Sequence, residues 1–325
     1  MAIATRLTAR LGLEHPIILA PMAFAGGGRL AAAVSRAGGL GLIGGGYGDG
    51  DWLEAEFAAA GNTPVGCGFI TWSLARAPHL LDAVLARAPR AVMLSFGDPA
   101  RFAPAIRAAG ATLICQVQSL AHARAALDAG AEVIVAQGAA AGGHSAVRAT
   151  VTLVPEVADL CAAVAPETLV VAAGGIADGR GLAAALVLGA DGVLMGSRFI
   201  AAEEALVTRA FQDAAVEACG DDTLRTRTVD IVRRRDWPAE FDIRVLRNAF
   251  VDRWHGNETA LAAAVDVEAP RYQEALARGD TERAAVVVGE AVGLIREVMP
   301  AAEIIRRVVV AAEARLEAGA KLARR

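Results

Sequence analysis

The sequence predicts an α/β chain folded as a (β/α)8 TIM barrel, with a smaller helical domain inserted after the eighth strand. Three observations predict it. Short apolar runs rich in β-branched residues alternate with helical stretches from residue 16 to residue 195, the rhythm of a parallel sheet built from βα units. Helices close on the same punctuation, Ala37-Gly38-Gly39, Ala109-Gly110-Ala111, Ala129-Gly130-Ala131 and Leu188-Gly189-Ala190, where a left-handed glycine returns the chain to the next strand. Past residue 203 the alternation stops and charged, irregular sequence takes over.

The elements follow in order. Pro16–Met22 is strand one, with Pro21 ending its ladder because proline has no N–H to give. Gly26-Gly27-Gly28 leads into a helix over 29–37. Strand two covers 40–43, followed by Gly44-Gly45-Gly46 and a helix near 51–60. Strands three, four and five span 64–70, 90–96 and 112–117, with helices at 73–87, 99–109 and 119–129. Glu132–Gln137 is strand six. A helix over 154–164 precedes strand seven, 168–173, and one over 179–188 precedes strand eight, 191–195. A doubly wound sheet could use similar units, but so many at this regularity favour closure. Gly39-Leu-Gly41-Leu-Ile-Gly44 matches GxGxxG formally. It starts at a helix end and has a strand in its middle, so it is not a dinucleotide fingerprint.

Residues 203–218 read as helix, and 221–254 as charged and irregular, with Arg233-Arg234-Arg235 read as a solvated face first and as a grip on an anionic substrate second. Further helices fall near 258–265, 270–278 and 280–288. The chain returns through Gly289–Ile295 to an amphipathic helix at about 300–318. The expected division is a barrel over 1–202, an inserted helical domain over 203–288, and a return segment with a C-terminal helix over 289–325.

Composition narrows the function. Hydrophobic residues make up 55% of the 325, enough for a large core. Net charge is −4 and no basic stripe with interleaved aromatics appears, so nucleic acid is not an expected partner. No apolar run reaches membrane-spanning length and no signal peptide is visible, so a cytoplasmic location off the membrane is expected. Cys67, Cys115, Cys161 and Cys219 are far apart, which suits reduced thiols better than a metal site or disulfides. The only lysine is Lys321. Schiff-base, P-loop and pyridoxal-phosphate chemistry each need a lysine in the site and are set aside.

Strand six runs into Gly138-Ala-Ala-Ala-Gly142-Gly143-His144-Ser145, which places a histidine just beyond a strand end. In barrels that is the ligand-binding face; a histidine on a solvated loop is the plainer alternative. Strand seven ends in Val171-Ala-Ala-Gly174-Gly175, and strand eight in Leu194-Met-Gly196-Ser197. Loops at these two places commonly bind phosphate through backbone N–H groups that glycine leaves accessible. The alternative is that these glycines only make tight turns. A phosphorylated ligand held there would extend over the barrel mouth toward Pro21, Met22, Gln137 and His144.

Ala20-Pro21-Met22, Ala37–Gly41, Gln137-Gly138 with Ala141-Gly-Gly-His144, Ala173-Gly-Gly-Ile176 and Met195-Gly-Ser-Arg-Phe199 resemble the nitronate monooxygenase (2-nitropropane dioxygenase) family of FMN barrels. Trp254-His-Gly and Gly289–Ile295 extend the resemblance over nearly the whole chain. Flavin-dependent enoyl-ACP reductases and some NADH:quinone reductases share the motifs. The resemblance implies an FMN-dependent enzyme that oxidises an alkyl nitronate or nitroalkane with dioxygen, giving a carbonyl product and nitrite, with His144 as catalytic base. It implies cofactor binding by Ala20, Pro21, Met22, Gln137, Gly142, Gly143, Ala173, Gly174, Gly175, Gly196 and Ser197, and no metal. The alternative it leaves open is an NAD(P)H-dependent flavin reductase of enoyl-ACP or quinone type. The oligomeric state is left open, a homo-oligomer included.

The chain departs from the family at three places. Strand three reads Gly66-Cys67-Gly68 where an asparagine often faces the flavin, and Ser197 replaces the commoner threonine while keeping its hydroxyl. Ala140 stands where an acidic residue is frequent, which leaves open what orients the His144 loop. Among the other histidines, His15, His79 and His122 are expected to be structural or exposed, and His255 could reach the mouth.

Overall fold

The structure, a computed structural model, describes residues 3–322. Its strands are β1 (Ile17–Leu19), β2 (Leu42–Gly44), β3 (Gly66–Ile70), β4 (Ala91–Ser95), β5 (Thr112–Val117), β6 (Val133–Gln137), β7 (Gly143–Ser145), β8 (Leu169–Ala173), β9 (Gly192–Met195), β10 (Thr223–Thr226) and β11 (Asp242–Leu246). Eight of them form one parallel sheet in the order β1-β9-β8-β6-β5-β4-β3-β2. Leu40 closes it. It bridges to Ile18, takes the Leu19 N–H at 2.9 Å and gives its own N–H to Ile17 at 3.0 Å. The barrel expected from the sequence is present.

Period-two alternation sorts the strands into two apolar layers. Ile114, Val133, Val135, Leu169, Val171 and Leu194 fill the interior, and Leu7 of the N-terminal helix Arg6–Leu11 joins that cluster. Leu113, Cys115, Ile134, Val170 and Val193 face the surrounding helices. The same alternation brings Gln116 and Gln137 inward at the C-terminal ends of their strands, where Gln116 Nε2 donates to Gln137 Oε1 at 3.1 Å. Apolar layers give way to amides there, and the barrel mouth becomes polar.

Several elements differ from expectation. The helix expected over 73–87 is two pieces, Thr71–Leu74 and His79–Leu85, interrupted at Pro78, which cannot donate a helical hydrogen bond. The stretch 280–288 is not a helix. Gly279 caps the preceding helix in the left-handed conformation, a turn follows over 281–283, and 285–289 have no regular structure. Val286 accepts the Leu246 N–H at 2.9 Å and Ala285 donates to the Tyr272 hydroxyl at 3.0 Å. Residues 221–254, read as irregular, contain β10 and β11 and the helices Thr228–Val232 and Ala249–Trp254. The helix Ala301–Leu322 lies along the helix Gly179–Val187 and touches Gly28–Arg36. At Gly179 a Cβ would stand 2.3 Å from Ala312 N, so these two helices meet backbone to backbone.

Candidate functional site

The polar mouth opens into a cavity of about 640 Å3. Its wall includes Ala20, Pro21, Met22, Gln137, Gly142, Gly143, His144, Ala173, Gly174, Gly175, Gly196 and Ser197. Every site residue named from the sequence therefore borders one space.

At one end lie the two glycine turns. Gly174 and Gly175 have φ of 94° and 78°, a region that only glycine enters cheaply. The backbone N–H groups of Gly175, Gly196 and Ser197 have no acceptor among the described residues. Ser197 Oγ accepts the Gly289 N–H at 2.8 Å, tying the return segment to the turn after β9. Unpaired donors converging on a cavity suit an anionic oxygen cluster such as a phosphate. Arg198, the cation nearest in sequence, does not border this cavity. It is buried and donates to the Glu297 carbonyl at 3.3 Å, and burial pushes its pKa down to about 10.

At the other end stands His144. The loop after β6 contains a short strand of its own. This is β7, which pairs antiparallel with β11, His144 opposite Ile243, and β11 pairs with β10. His144 is 7% exposed. Its Nε2 lies 2.9 and 3.0 Å from the two carboxylate oxygens of Asp230, which is 3% exposed on the helix Thr228–Val232. Trp237 stacks on the imidazole, and Phe96 meets it edge-on at 6.4 Å. Gln137 Nε2 donates to the His144 carbonyl at 3.2 Å, and Gln137 Oε1 takes a further bond from Gln118 at 2.9 Å. Burial moves the His144 pKa below its ordinary value, against the opposing pull of Asp230. A neutral imidazole there is a ready proton acceptor.

Close backbone approaches fix the walls. At Gly68 a Cβ would fall 2.3 Å from Pro21 Cγ. The proline ring fills the space that a side chain on β3 would need, which accounts for the glycine at that position. At Gly142 a Cβ would lie 2.5 Å from Gly289 N, so the return segment runs directly against the glycine loop.

Other sequence expectations fare differently. His255 does not border the cavity; its Nδ1 contacts Thr226 Oγ1 at 3.2 Å. His79 is exposed, His15 and His122 are half-buried, and none of the three borders the cavity. Cys67, Cys115 and Cys161 are buried and Cys219 is exposed. Burial pushes the Cys115 thiol up to about 12 and Cys161 up to about 11. The arginine run is not simply a solvated face. Arg233 and Arg235 border the cavity, Arg235 lies over the Tyr47 ring at 4.1 Å, and Arg234 alone turns to Asp266. The sequence reading did not find Asp230, Trp237, Tyr47 or Phe96. No local pattern marks Asp230, 86 positions from its partner histidine. The alternation of Ile243, Arg244 and Val245 was a usable sign of the strand that carries the His144 loop.

Comparison with known proteins agrees with this geometry. A family model described as nitronate monooxygenase matches residues 4–65 and 75–311. A nitronate monooxygenase from Neurospora crassa is 34% identical over 94% of this chain and 91% of its own. FabK from Thermotoga maritima superposes with a TM-score of 0.86 at 32% identity, covering 98% of this chain and 99% of that one. A nitroalkane oxidase from Streptomyces ansochromogenes gives 0.80 at 27% identity, covering 96% and 99%. The chain thus belongs to the nitronate monooxygenase family, and it is an oxidoreductase.

Proposed function

We propose that the protein oxidises alkyl nitronates or nitroalkanes with dioxygen, releasing a carbonyl product and nitrite, with FMN as cofactor and His144 as base. The observation that carries this reading is His144 itself: a buried imidazole on the wall of the cavity, with Nδ1 free of any hydrogen bond among the described residues. Carbon beside a nitro group is acidic, and a base of this kind is matched to its proton.

The turns Gly174-Gly175 and Gly196-Ser197 would hold the phosphate through backbone N–H groups. Ala20, Pro21, Met22, Gln137, Gly142, Gly143 and Ala173 would border the rest of the cofactor. Their fit rests on the unpaired donors at one end and the spare Gln137 N–H at the other. Bound flavin supplies an electron acceptor that can be reoxidised by dioxygen. His144 accepts the substrate C–H proton at Nδ1. Trp237, Phe211, Leu276 and Val286 wall the cavity on the side of the inserted segment and keep bulk water from the base.

A second reading, an NAD(P)H-dependent flavin reductase of enoyl-ACP or quinone type, draws on Arg233 and Arg235. Both border the cavity and neither has a carboxylate within ion-pair distance among the described residues. Anaerobic stopped-flow separates the two: flavin bleaching by a nitronate but not by NADH or NADPH is expected, and the opposite result favours the reductase. We also take 1–202, 203–288 and 289–325 as barrel, inserted unit and return segment. In support, Val229, Val245, Phe250, Leu261 and Tyr272 share an apolar cluster apart from the barrel core.

A further inference from the structure

We infer that Asp230 is a positioning residue: from the inserted segment it fixes His144 with the proton on Nε2 and the accepting lone pair on Nδ1. This rests on the reading of His144 as the base and adds what makes that base competent. An ionised carboxylate only accepts hydrogen bonds. With both oxygens within 3.0 Å of Nε2, that nitrogen must be the N–H, and in a neutral imidazole the lone pair is then on Nδ1. The Asp230 carboxylate has no hydrogen-bond partner besides His144 among the described residues. Both side chains are nearly sealed from water, so solvent does not compete for Nε2.

The surroundings hold this arrangement in place. Thr228 N–H donates to Thr226 Oγ1 at 3.2 Å, and Arg235 N–H donates to the Asp230 carbonyl at 2.8 Å. The second of these bonds also sets the turn from which Trp237 reaches the imidazole. Trp237 on one face and Phe96 at the edge restrain the ring plane. The charged groups facing the pair are Arg233, which follows the helix of Asp230, and Asp242 on β11; the first opposes the imidazolium and the second favours it. Tyr47 and Tyr272 also feel the Asp230 charge, and burial raises both phenols so that they stay neutral; Gln137 on β6 carries no charge.

The step balances simply. The C–H proton passes to Nδ1, the bonding pair stays with the substrate as nitronate, and the new imidazolium keeps its Nε2–H on the Asp230 carboxylate, which stays ionised. Ala140, which cannot orient anything, is thereby compensated from a different part of the chain.

Asp230→Asn is the test. Its amide can donate to Nε2 and so hold the opposite tautomer. The rate on freshly dissolved neutral nitroalkane should fall by roughly 100- to 10,000-fold, while preformed nitronate is affected far less and flavin content is retained. The acidic limb of the nitroalkane pH profile should move to lower pH, because Asp230 favours the protonated imidazole. Asp230→Glu should restore part of the rate. Independently of turnover, 15N-histidine NMR of the wild-type holoenzyme should place the His144 proton on Nε2. A proton on Nδ1, an unchanged nitroalkane rate in Asp230→Asn, or equal losses on both substrates with an unmoved limb would each overturn the proposal. If Asp230→Asn does not fold, the wild-type NMR spectrum decides. If His144→Ala keeps the nitroalkane rate, the base reading fails, and the NMR result still judges what Asp230 does.

Discussion

Trp237 lies flat on His144, ring centroids 3.4 Å apart and planes within 8° of parallel, while its indole N–H donates to the Tyr47 hydroxyl at 3.1 Å. One residue between β10 and β11 thus covers the imidazole and reaches the loop after β2. Trp237→Ala should cost about 3–5 kcal/mol of stability, as for other buried Trp truncations. It should also lower turnover by freeing the imidazole plane. Trp237→Phe keeps a stacking face without the bond to Tyr47 and should retain more of both. Denaturant melts beside steady-state rates on a nitronate check this pair.

His144→Ala should lose roughly two to four orders of magnitude on a nitroalkane, the range for a removed general base. Loss on a preformed nitronate, which has already shed its proton, should be much smaller. The variant also leaves Asp230 buried without its partner, a cost of about 3–5 kcal/mol. The double variant His144→Ala/Asp230→Asn should therefore melt at higher denaturant than His144→Ala alone. Equal losses on both substrates would assign His144 to anion binding in place of proton transfer.

Burial holds the His144 pKa below its usual 6.5. On acidification the unfolded chain protonates this residue first, so stability is full above pH 6.5 and declines as pH falls through the folded pKa. Chemical denaturation at stepped pH should show that slope, flattened in His144→Gln. The limb of nitroalkane turnover assigned to this group should also lie below 6.5 and be missing in His144→Ala.

The glycines should divide into two classes. At Gly196 a Cβ meets nothing closer than 3.4 Å, whereas at Gly142 it runs into the backbone of Val288 and Gly289. Gly196→Val should fold and lose flavin, by covering the unpaired donors. Gly142→Ala should destabilise the fold itself. Flavin released on denaturation, compared with melting curves, distinguishes them; full flavin occupancy in Gly196→Val would move the phosphate elsewhere.

The barrel was legible because its strands are buried on both faces and so appear as unbroken apolar runs, Val133–Ala136 and Leu169–Ala173 among them. Gly38, Gly110, Gly130 and Gly189 all have positive φ, as the helix-ending pattern implied. Beyond the barrel the helices Glu258–Ala263 and Val265–Arg278 were legible, but the strands of 221–254 were not. Thr223–Thr226 holds a single apolar residue, and Asp242–Leu246 carries Arg244 between Ile243 and Val245; at that length a half-polar strand resembles a loop. The stretch 280–288 reads as helix because the groups that hold it otherwise, Leu246 and Tyr272, are distant in sequence. The same limit hid Asp230 and Trp237, whose meaning lies wholly in where the tertiary fold sets them.

The helix Ala301–Leu322 fills the outer position that ordinarily follows β9, yet it comes after more than a hundred intervening positions. During synthesis at about 5–20 residues per second, the flanks of Gly28–Arg36 and Gly179–Val187 stay bare for several seconds after the last barrel strand has formed. The polypeptide must finish the stretch that carries Asp230, the carboxylate bound to His144, before the wall of the cylinder can be completed. Completion of the wall and assembly of the His144–Asp230 contact are therefore ordered in time: an abandoned chain that ends before residue 301 presents an open apolar seam to chaperones and proteases.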